Sequence, residues 1–591
     1  MFRSGESLVS STQNGDWAQI VTASRISDAD EDSQAGAQRL NQGAARNLKV
    51  RAAWLLLGGF LALHLSTTLA GVEYGTHWDE RYMQILLTES VDTLQGWPGK
   101  YYYGGIYVGL GQLALAPDWF AALPELIAEA RQAGTRWNRL VPTPRIREIQ
   151  KSLTDTIDSR AFLERCRRLF AVVGSAGIVF LFLAGNRLGR TGWGGVLAAS
   201  VLALSWEINT HARHIAIDST LVALVCLLLL FMVSHSQETP RNSRRWLYFS
   251  ALVVGMATST KFTAIVLLFP VLLLSVSESG RHNAWHLTRE AITLTGIALA
   301  ATLAINPGLL FDTVQVAADW GWATHDYQRS TIPGMDPYRI EGRWHHLWQA
   351  TTYLGTSALS PWRGIAFILD AVGVIGLISS MRRNRWLTIS LASVGIVYLA
   401  TVVQGGLMIP RNYLPVLPVW ALFIMVGAER LCQSRNAMRI AFVFAIAWFG
   451  GNAQHMIATA ATVVDKPRIA ETMAEVRQYI SEQPDFRFLA GESVLHLADR
   501  FGSPLRQHAN IVERKDAGDD DYDRWIYTLR DFQGMAPEFR KHGYFMKVFG
   551  PQEVNYDYYP DWIGTNRNTR IFVVDRARAS ASMALQASAR R

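Results

Sequence analysis

The sequence predicts an α-helical polytopic membrane protein with about eleven transmembrane helices and a C-terminal soluble α/β domain. Three observations predict this. Apolar runs of spanning length recur from Ala52 to about Ala460, with polar residues gathered between them. Basic residues crowd into alternate short loops. After Val464 the apolar runs shorten and charge rises.

A hydrocarbon core about 30 Å thick takes about 20 apolar residues per helix, and helices apolar on every face are rare in water-soluble domains. By apolar length, spans are predicted near 52–72, 167–186, 192–206, 218–234, 246–259, 262–277, 290–305, 363–381, 386–403, 413–429 and 438–456. The stretch before the first span is polar and holds no apolar core of a signal peptide, so a disordered cytoplasmic tail is expected over 1–50.

With that tail in the cytoplasm, the cytoplasmic loops hold Arg187 and Arg190; Arg241, Arg244 and Arg245; Arg281 and Arg289; Arg382, Arg383 and Arg385; Arg430, Arg435 and Arg439. Arg46, Lys49 and Arg51 precede the first span. Three short outer loops hold one basic residue each: Arg213, Lys261 and Arg411. Excess Lys and Arg marks cytoplasmic loops, so the three outer cations stand out as candidates for a task. Gly104 to Ala116 is apolar but only half a span long before Pro117 and Asp118; it is expected to lie at the outer surface. Residues 73–165 then form a first extracytoplasmic loop, within a transmembrane catalytic domain at 51–463. The segment from Asn306 to Trp362, rich in Trp, His and Tyr, is expected at the outer interface. In the domain over 464–591, strands are expected at Phe486–Leu489 and Thr569–Val574 and a helix at Arg468–Ile480. An odd number of spans places this domain outside the cell, and the Ala- and Arg-rich composition suggests a bacterial plasma membrane.

The net charge of +8 sits mainly in cytoplasmic loops and carries no nucleic-acid recognition motif, so nucleic acid is excluded as a partner. The three cysteines, Cys166, Cys226 and Cys432, show no metal-ligand spacing and no disulfide framework.

Four outer segments carry the chemistry. His77-Trp78-Asp79-Glu80 follows the first span and offers adjacent carboxylates, one of which can accept a hydroxyl proton. His211 through Ser219 contains Arg213 and Asp218. Thr258-Ser259-Thr260-Lys261-Phe262-Thr263 places a lone Lys in a tight turn. Pro410-Arg411-Asn412-Tyr413 offers an Arg, whose fork matches phosphate oxygens. Two carboxylate sites and three cations on one membrane face suit transfer from a lipid phosphate. The cations hold the phosphate and stabilise its growing charge, and a carboxylate activates the acceptor. No cofactor is required; a divalent cation is compatible with the scheme.

The layout resembles the glycosyltransferases of the C superfamily (GT-C), in the clan of the protein O-mannosyltransferases and the lipid A aminoarabinose transferase. Asp79-Glu80 matches the acidic pair of that family's first outer loop. Arg168-Leu169-Phe170-Ala171-Val172-Val173-Gly174 resembles the opening of its second span. Ala212-Arg213 through Asp218 matches its second acidic site, and Lys261 its lysine turn. Asn306-Pro307-Gly308 resembles its Asn-Pro motif. Arg411 through Pro418 resembles its Arg-Tyr-Leu-Pro signature, with Asn412 inserted. A His-Pro-Pro or Lys-Pro-Pro motif is missing from the first outer loop, where Tyr101-Tyr102-Tyr103-Gly104 stands instead.

The resemblance implies a GT-C fold and a hexosyl- or pentosyltransferase using a polyprenyl-phosphate-linked sugar. The acceptor would be an envelope glycan, lipid or protein. Asp79 is the expected general base, since the family gives the first acid of the pair the leading role and Asp has the stiffer side chain. Glu80 would orient the loop or the sugar, and Asp218 would hold Arg213 or the sugar. Arg213, Lys261, Arg411 and Tyr413 would bind substrate. Two other readings compete. A transporter or flippase for an anionic or lipid-linked substrate would place its ionisable residues near the bilayer midplane. A polyprenyl-diphosphate polymerase or ligase would carry a larger, more basic late loop.

Overall fold

The computed structural model describes residues 48–70, 72, 78–93, 99–101, 103–132, 143–238, 240–278, 284–329, 339–463, 466–491, 494–495, 498–499, 504–513, 522–528, 545–549 and 571–576. Nearly all of the predicted tail, together with His77 and much of the predicted C-terminal domain, lies outside the described residues.

The first helix among the described residues is α1 (Leu48–Leu69). Next come α2 (Trp78–Thr93), α3 (Gly105–Gln132) and α4 (Pro144–Ile157), then α5 (Arg160–Leu188), α6 (Gly194–Ala203), α7 (Trp206–Ala212), α8 (Ile217–Gln237) and α9 (Pro240–Thr258). A 3-10 turn (Phe262–Leu267) leads into α10 (Leu268–Glu278) and α11 (Ala284–Ile305). The short α12 (Gly308–Phe311) is followed by α13 (Thr313–Arg329) and α14 (Arg343–Tyr353), which runs into a π-turn (Leu354–Ala358). Then come α15 (Arg363–Arg383) and α16 (Arg385–Val402), a 3-10 turn (Pro410–Val416), α17 (Leu417–Leu431), α18 (Arg435–Val463) and α19 (Lys466–Ser481). Among the described residues five strands follow: β1 (Phe488–Ala490), β2 (Ile511–Glu513), β3 (Arg524–Thr528), β4 (Phe545–Phe549) and β5 (Ile571–Asp575).

The chain is thus a mostly helical membrane protein with a small C-terminal sheet, as its sequence predicts. Among the described residues nine helices are long and apolar enough to cross a membrane. The eleven expected spans differ from these at four places. The one expected at 192–206 is a ten-residue helix, α6, buried against α5 and α17. It stops because Ser205 takes a new role: its side chain accepts from the Ile208 N–H and caps α7. The span expected at 262–277 is split between the 3-10 turn and α10, and α9 falls below the required hydropathy because its first turns are basic.

The fourth difference is α3. It does not end before Pro117 but runs on through Pro117 and Pro124 for 28 residues, long enough to span. A proline inside a helix removes a hydrogen bond and costs about 3 kcal/mol. Packing on both sides offsets that cost. Met83 and Leu87 of α2, Leu115 and Leu126 of α3, Ile146 and Ile149 of α4 and Phe162 of α5 share one core. Asp118 also pairs with Arg165 at 2.6 Å.

Other starts are local. Thr143 caps α4 with Pro144 behind it, Ser159 caps α5 and Asn384 caps α16. α8 is buried almost throughout, because α5, α9, α16 and α17 surround it. Helices approach closely where side chains are small: a Cβ on Gly376 would strike the Phe423 carbonyl of α17, and one on Gly427 the Val372 carbonyl of α15. In the sheet the order is β2-β1-β3-β5-β4, with β1 parallel to β2 and β3 and β5 antiparallel to its neighbours. Met473, Val476 and Ile480 of α19 pack on Phe488, Ile526 and Val573.

Candidate functional site

Asp79 and Glu80 open α2, where carboxylates favour the positive end of the helix dipole. Successive helical residues point about 100° apart, and the two acids accordingly find different partners. Both are almost fully buried.

Asp79 faces α3 and the turn before α17. The Tyr103 hydroxyl donates to its Oδ1 at 2.7 Å, and the Tyr107 hydroxyl donates to its main-chain oxygen at 2.5 Å. Arg411 Nη2 lies 3.2 Å from Oδ2. Burial pushes the Asp79 carboxyl above its ordinary range, and Arg411, Tyr103 and Lys261 offset only part of that.

Glu80 faces α5. Arg167 grips it with two parallel bonds, Nε to Oε1 at 2.7 Å and Nη2 to Oε2 at 2.5 Å. Arg167 also donates to the Val72 carbonyl at 2.6 Å. The Ile215 N–H reaches Glu80 Oε1 at 3.4 Å, and His214 lies 3.7 Å away. Burial alone would raise the Glu80 carboxyl, but Arg167 and His214 outweigh it and hold the group well below the usual carboxylate range.

Asp218 opens α8. Lys261 Nζ lies 3.1 Å from its Oδ1, and Arg411 Nε lies 3.0 Å from its Oδ2. Arg411 therefore bridges Asp79 and Asp218, and Lys261 closes the group. The turn before α17 delivers both Arg411 and Asn412, with Pro410 at its first position. Asn412 Oδ1 accepts from Lys261 at 2.8 Å. Two carboxylates and two cations, from four separate elements, form one compact cluster in which the buried charges are paired.

The other two expected site residues lie apart from it. Arg213 is fully buried and donates to the carbonyl oxygens of Thr68, at 3.4 Å, and Thr67, at 2.9 Å, at the end of α1. Its neighbour Asn209 binds the same end of α1 through Thr67 and Thr68. So the seven-residue α7 turns Arg213 toward α1, and Asp218 pairs with Lys261 and Arg411 where Arg213 had been expected. Tyr413 is buried and its hydroxyl bonds His346 Nε2. His346 Nδ1 lies 2.9 Å from the Gly405 carbonyl. Nδ1 must donate there, so Nε2 accepts the Tyr413 hydroxyl proton.

Three more side chains complete the setting. Asn306, of the Asn-Pro-Gly motif, accepts from the Gly105 N–H and donates to Ser259 Oγ at 2.8 Å. The Ile106 N–H donates to the Ser259 carbonyl at 3.0 Å. A Cβ on Gly104 would collide with that same carbonyl, which is why only glycine fits there. The start of α3 is therefore clamped to the turn that carries Lys261. A cavity of about 700 Å³ opens beside it. Its walls are mostly apolar residues of α3, α5 and α8, among them Val108, Val172 and Leu224, with Lys100 and Asn306 also lining it, and Tyr103 stands between it and Asp79. Among the described residues no group of three or more His, Cys, Asp and Glu side chains could hold a metal ion.

Arg167, Tyr103, Tyr107 and Asn412 were not singled out from the sequence. One signal was available: Arg165, Arg167 and Arg168 crowd the first turns of α5, a basic cluster directly before an apolar run.

Two solved structures of ArnT from Cupriavidus metallidurans are similar to this chain. The form bound to undecaprenyl phosphate is 14% identical over 88% of this chain and 97% of the other, with a TM-score of 0.45. The apo form is 15% identical over 89% and 98%, with a TM-score of 0.46. An oligosaccharyltransferase from Archaeoglobus fulgidus is 10% identical over 84% and 75%, with a TM-score of 0.40. No curated protein matches the chain. Residues 163–308, from the first turn of α5 to the Asn-Pro-Gly motif, match the family model of dolichyl-phosphate-mannose-protein mannosyltransferases, and over that segment the chain is similar to them.

Proposed function

We propose that the chain transfers a monosaccharide from a polyprenyl-phosphate donor to an acceptor hydroxyl on the extracytoplasmic face, with Asp79 as general base. One observation carries this reading: Lys261 and Arg411 meet on Asp218 while Arg411 also reaches Asp79. A phosphate held by those two cations has a carboxylate base beside it. The similarity of residues 163–308 to dolichyl-phosphate-mannose-protein mannosyltransferases supports the donor class.

In the reaction the acceptor oxygen attacks the anomeric carbon and loses its proton to Asp79. The bond from that carbon to the phosphate oxygen breaks, and its electron pair leaves with the phosphate. Lys261 and Arg411 stabilise the charge that grows there, and fixed donors in a dry site do this at little reorganisation cost. Phosphate is a good leaving group, since its second pKa is about 6. The apolar cavity beside Tyr103 suits the first isoprene units of the carrier. Glu80, locked by Arg167, orients the first turn of α2 and is not free to serve as the base. In this reading the C-terminal sheet lies on the same side as the cluster.

The test is transfer by the purified protein in lipid nanodiscs, using a panel of labelled polyprenyl-phosphate hexoses and pentoses and a membrane extract as acceptor. Release of free polyprenyl phosphate that depends on Asp79 is expected. Uptake of the intact donor across sealed vesicles without release of polyprenyl phosphate would favour a flippase and overturn the reading. Use of diphosphate-linked donors alone would favour a polymerase or ligase.

A further inference from the structure

We propose that Tyr103 is a positioning residue: its hydroxyl fixes the Asp79 carboxylate at the boundary between the charged cluster and the apolar cavity. The inference rests on Asp79 being the base, as argued above.

The geometry is specific. Tyr103 donates to Oδ1 at 2.7 Å, while Arg411 lies 3.2 Å from Oδ2. The carboxylate is thus held from two sides by groups on different elements. Tyr107, in the first turn of α3, donates to the main-chain oxygen of residue 79. The start of α3 and the residues that lead into it therefore set both the backbone and the side chain of Asp79.

The tyrosine is itself delivered rigidly. Asn306 binds the Gly105 N–H, and the Ser259 carbonyl binds the Ile106 N–H. The Tyr103 ring packs against Tyr82 and Tyr107, with centroids 5.8 and 4.9 Å away. Burial and the nearby Asp79 charge push the phenol well above its ordinary range, so it stays protonated and donates. A fixed carboxylate suits a base that must meet the acceptor in near-attack geometry. Tyr103 also lines the cavity. It stands in the segment where a Lys-Pro-Pro or His-Pro-Pro motif is missing, and the group that reaches Asp79 from there is a neutral phenol.

The test compares Tyr103→Phe with Tyr107→Phe and Asp79→Asn in the nanodisc assay. Both tyrosine variants keep the ring and the packing. Besides Tyr103, the charged groups that act on Asp79 are Arg411, Lys261 and Asp218, and all three stay in place. For Tyr103→Phe, kcat is expected to fall roughly 10- to 100-fold, the loss expected for one hydrogen bond to a charged group. The donor KM should stay within about twofold, since phosphate binding rests on other residues. Losing a donor to the carboxylate disfavours its charged form, so the acidic limb of the kcat profile should move up by roughly one pH unit. In Tyr107→Phe that limb should not move. If Asp79→Asn is inactive while Tyr103→Phe keeps both normal kcat and the normal acidic limb, the inference is overturned and the proposed function stands. A fall in kcat with an unmoved limb, matched by Tyr107→Phe, would show a packing role and overturn it as well. Normal transfer by Asp79→Asn would overturn the general base and this inference together.

Discussion

Lys261 donates to Asn412 at 2.8 Å across 151 residues of sequence. The same ammonium lies 3.1 Å from Asp218. The residue beside Asn412, Arg411, reaches Asp218 from the other side. Two turns from distant parts of the chain thus fix both cations on one carboxylate, and this relation governs the first prediction.

Lys261→Ala and Arg411→Ala should each weaken binding of a polyprenyl-phosphate donor, because a charge-assisted hydrogen bond contributes about 1.5–3 kcal/mol, or roughly 10- to 150-fold in Kd. Each also leaves a buried carboxylate short of a partner. Asp218→Asn added to Lys261→Ala should therefore restore part of the lost thermal stability. Binding can be read by competition with labelled polyprenyl phosphate and stability by thermal denaturation in detergent. Wild-type affinity in both single variants would remove the phosphate site from this cluster.

Asp79→Asn keeps the size of the side chain and removes the base. Transfer should fall by roughly 10² to 10⁴ while the donor still binds. The rate of the wild-type enzyme should rise with pH through a midpoint above the ordinary aspartate range, because burial raises the Asp79 carboxyl. A midpoint at the model-peptide value of about 3.9 would contradict that.

Glu80 predicts a different pH response. Its folded carboxyl is depressed below the unfolded value by Arg167 and His214. The stability this contributes is complete above the unfolded pKa of about 4.3 and is lost as pH falls through the folded value. Arg167→Met breaks a pair buried on both sides and should cost about 3–5 kcal/mol near neutral pH. Adding Glu80→Gln should recover much of that loss. A thermal scan of the parent protein and the single and double variants from about pH 2 to pH 8 checks both statements.

Tyr413 was expected to touch substrate, yet its hydroxyl lies on His346. Tyr413→Phe should therefore lower stability by about 0.5–1.5 kcal/mol and change the donor KM by less than about twofold. A tenfold rise in donor KM would return Tyr413 to the binding site.

The orientation can be tested by labelling. In a protein with Cys166, Cys226 and Cys432 replaced by Ser, an impermeant thiol reagent outside the cell should reach a cysteine at Asp485. It should miss one at Arg435, the first residue of α18, in a segment rich in arginine. The opposite pattern would place the cluster on the cytoplasmic side and end the proposed function.

The sequence by itself determined the apolar helices, the two strands it named near Phe488 and Ile571, and the candidate ions Asp79, Asp218, Lys261 and Arg411. Helix length and hydropathy are local properties, and a charge where the bilayer disfavours one is conspicuous wherever it lies in the chain. Tertiary structure alone decided the pairing. Asp79 and Glu80 are neighbours, yet the turn of α2 sends one to Arg411 and the other to Arg167. Arg213 is close to Asp218 in sequence, yet α7 packs it on the end of α1 and leaves Asp218 to residues of two later turns. A buried charge takes the partner that helix packing brings within reach, and no local pattern encodes which helix that is. The reach of α3 past Pro117 has the same origin, since contacts with α2, α4 and α5 outweigh the hydrogen bond a proline removes.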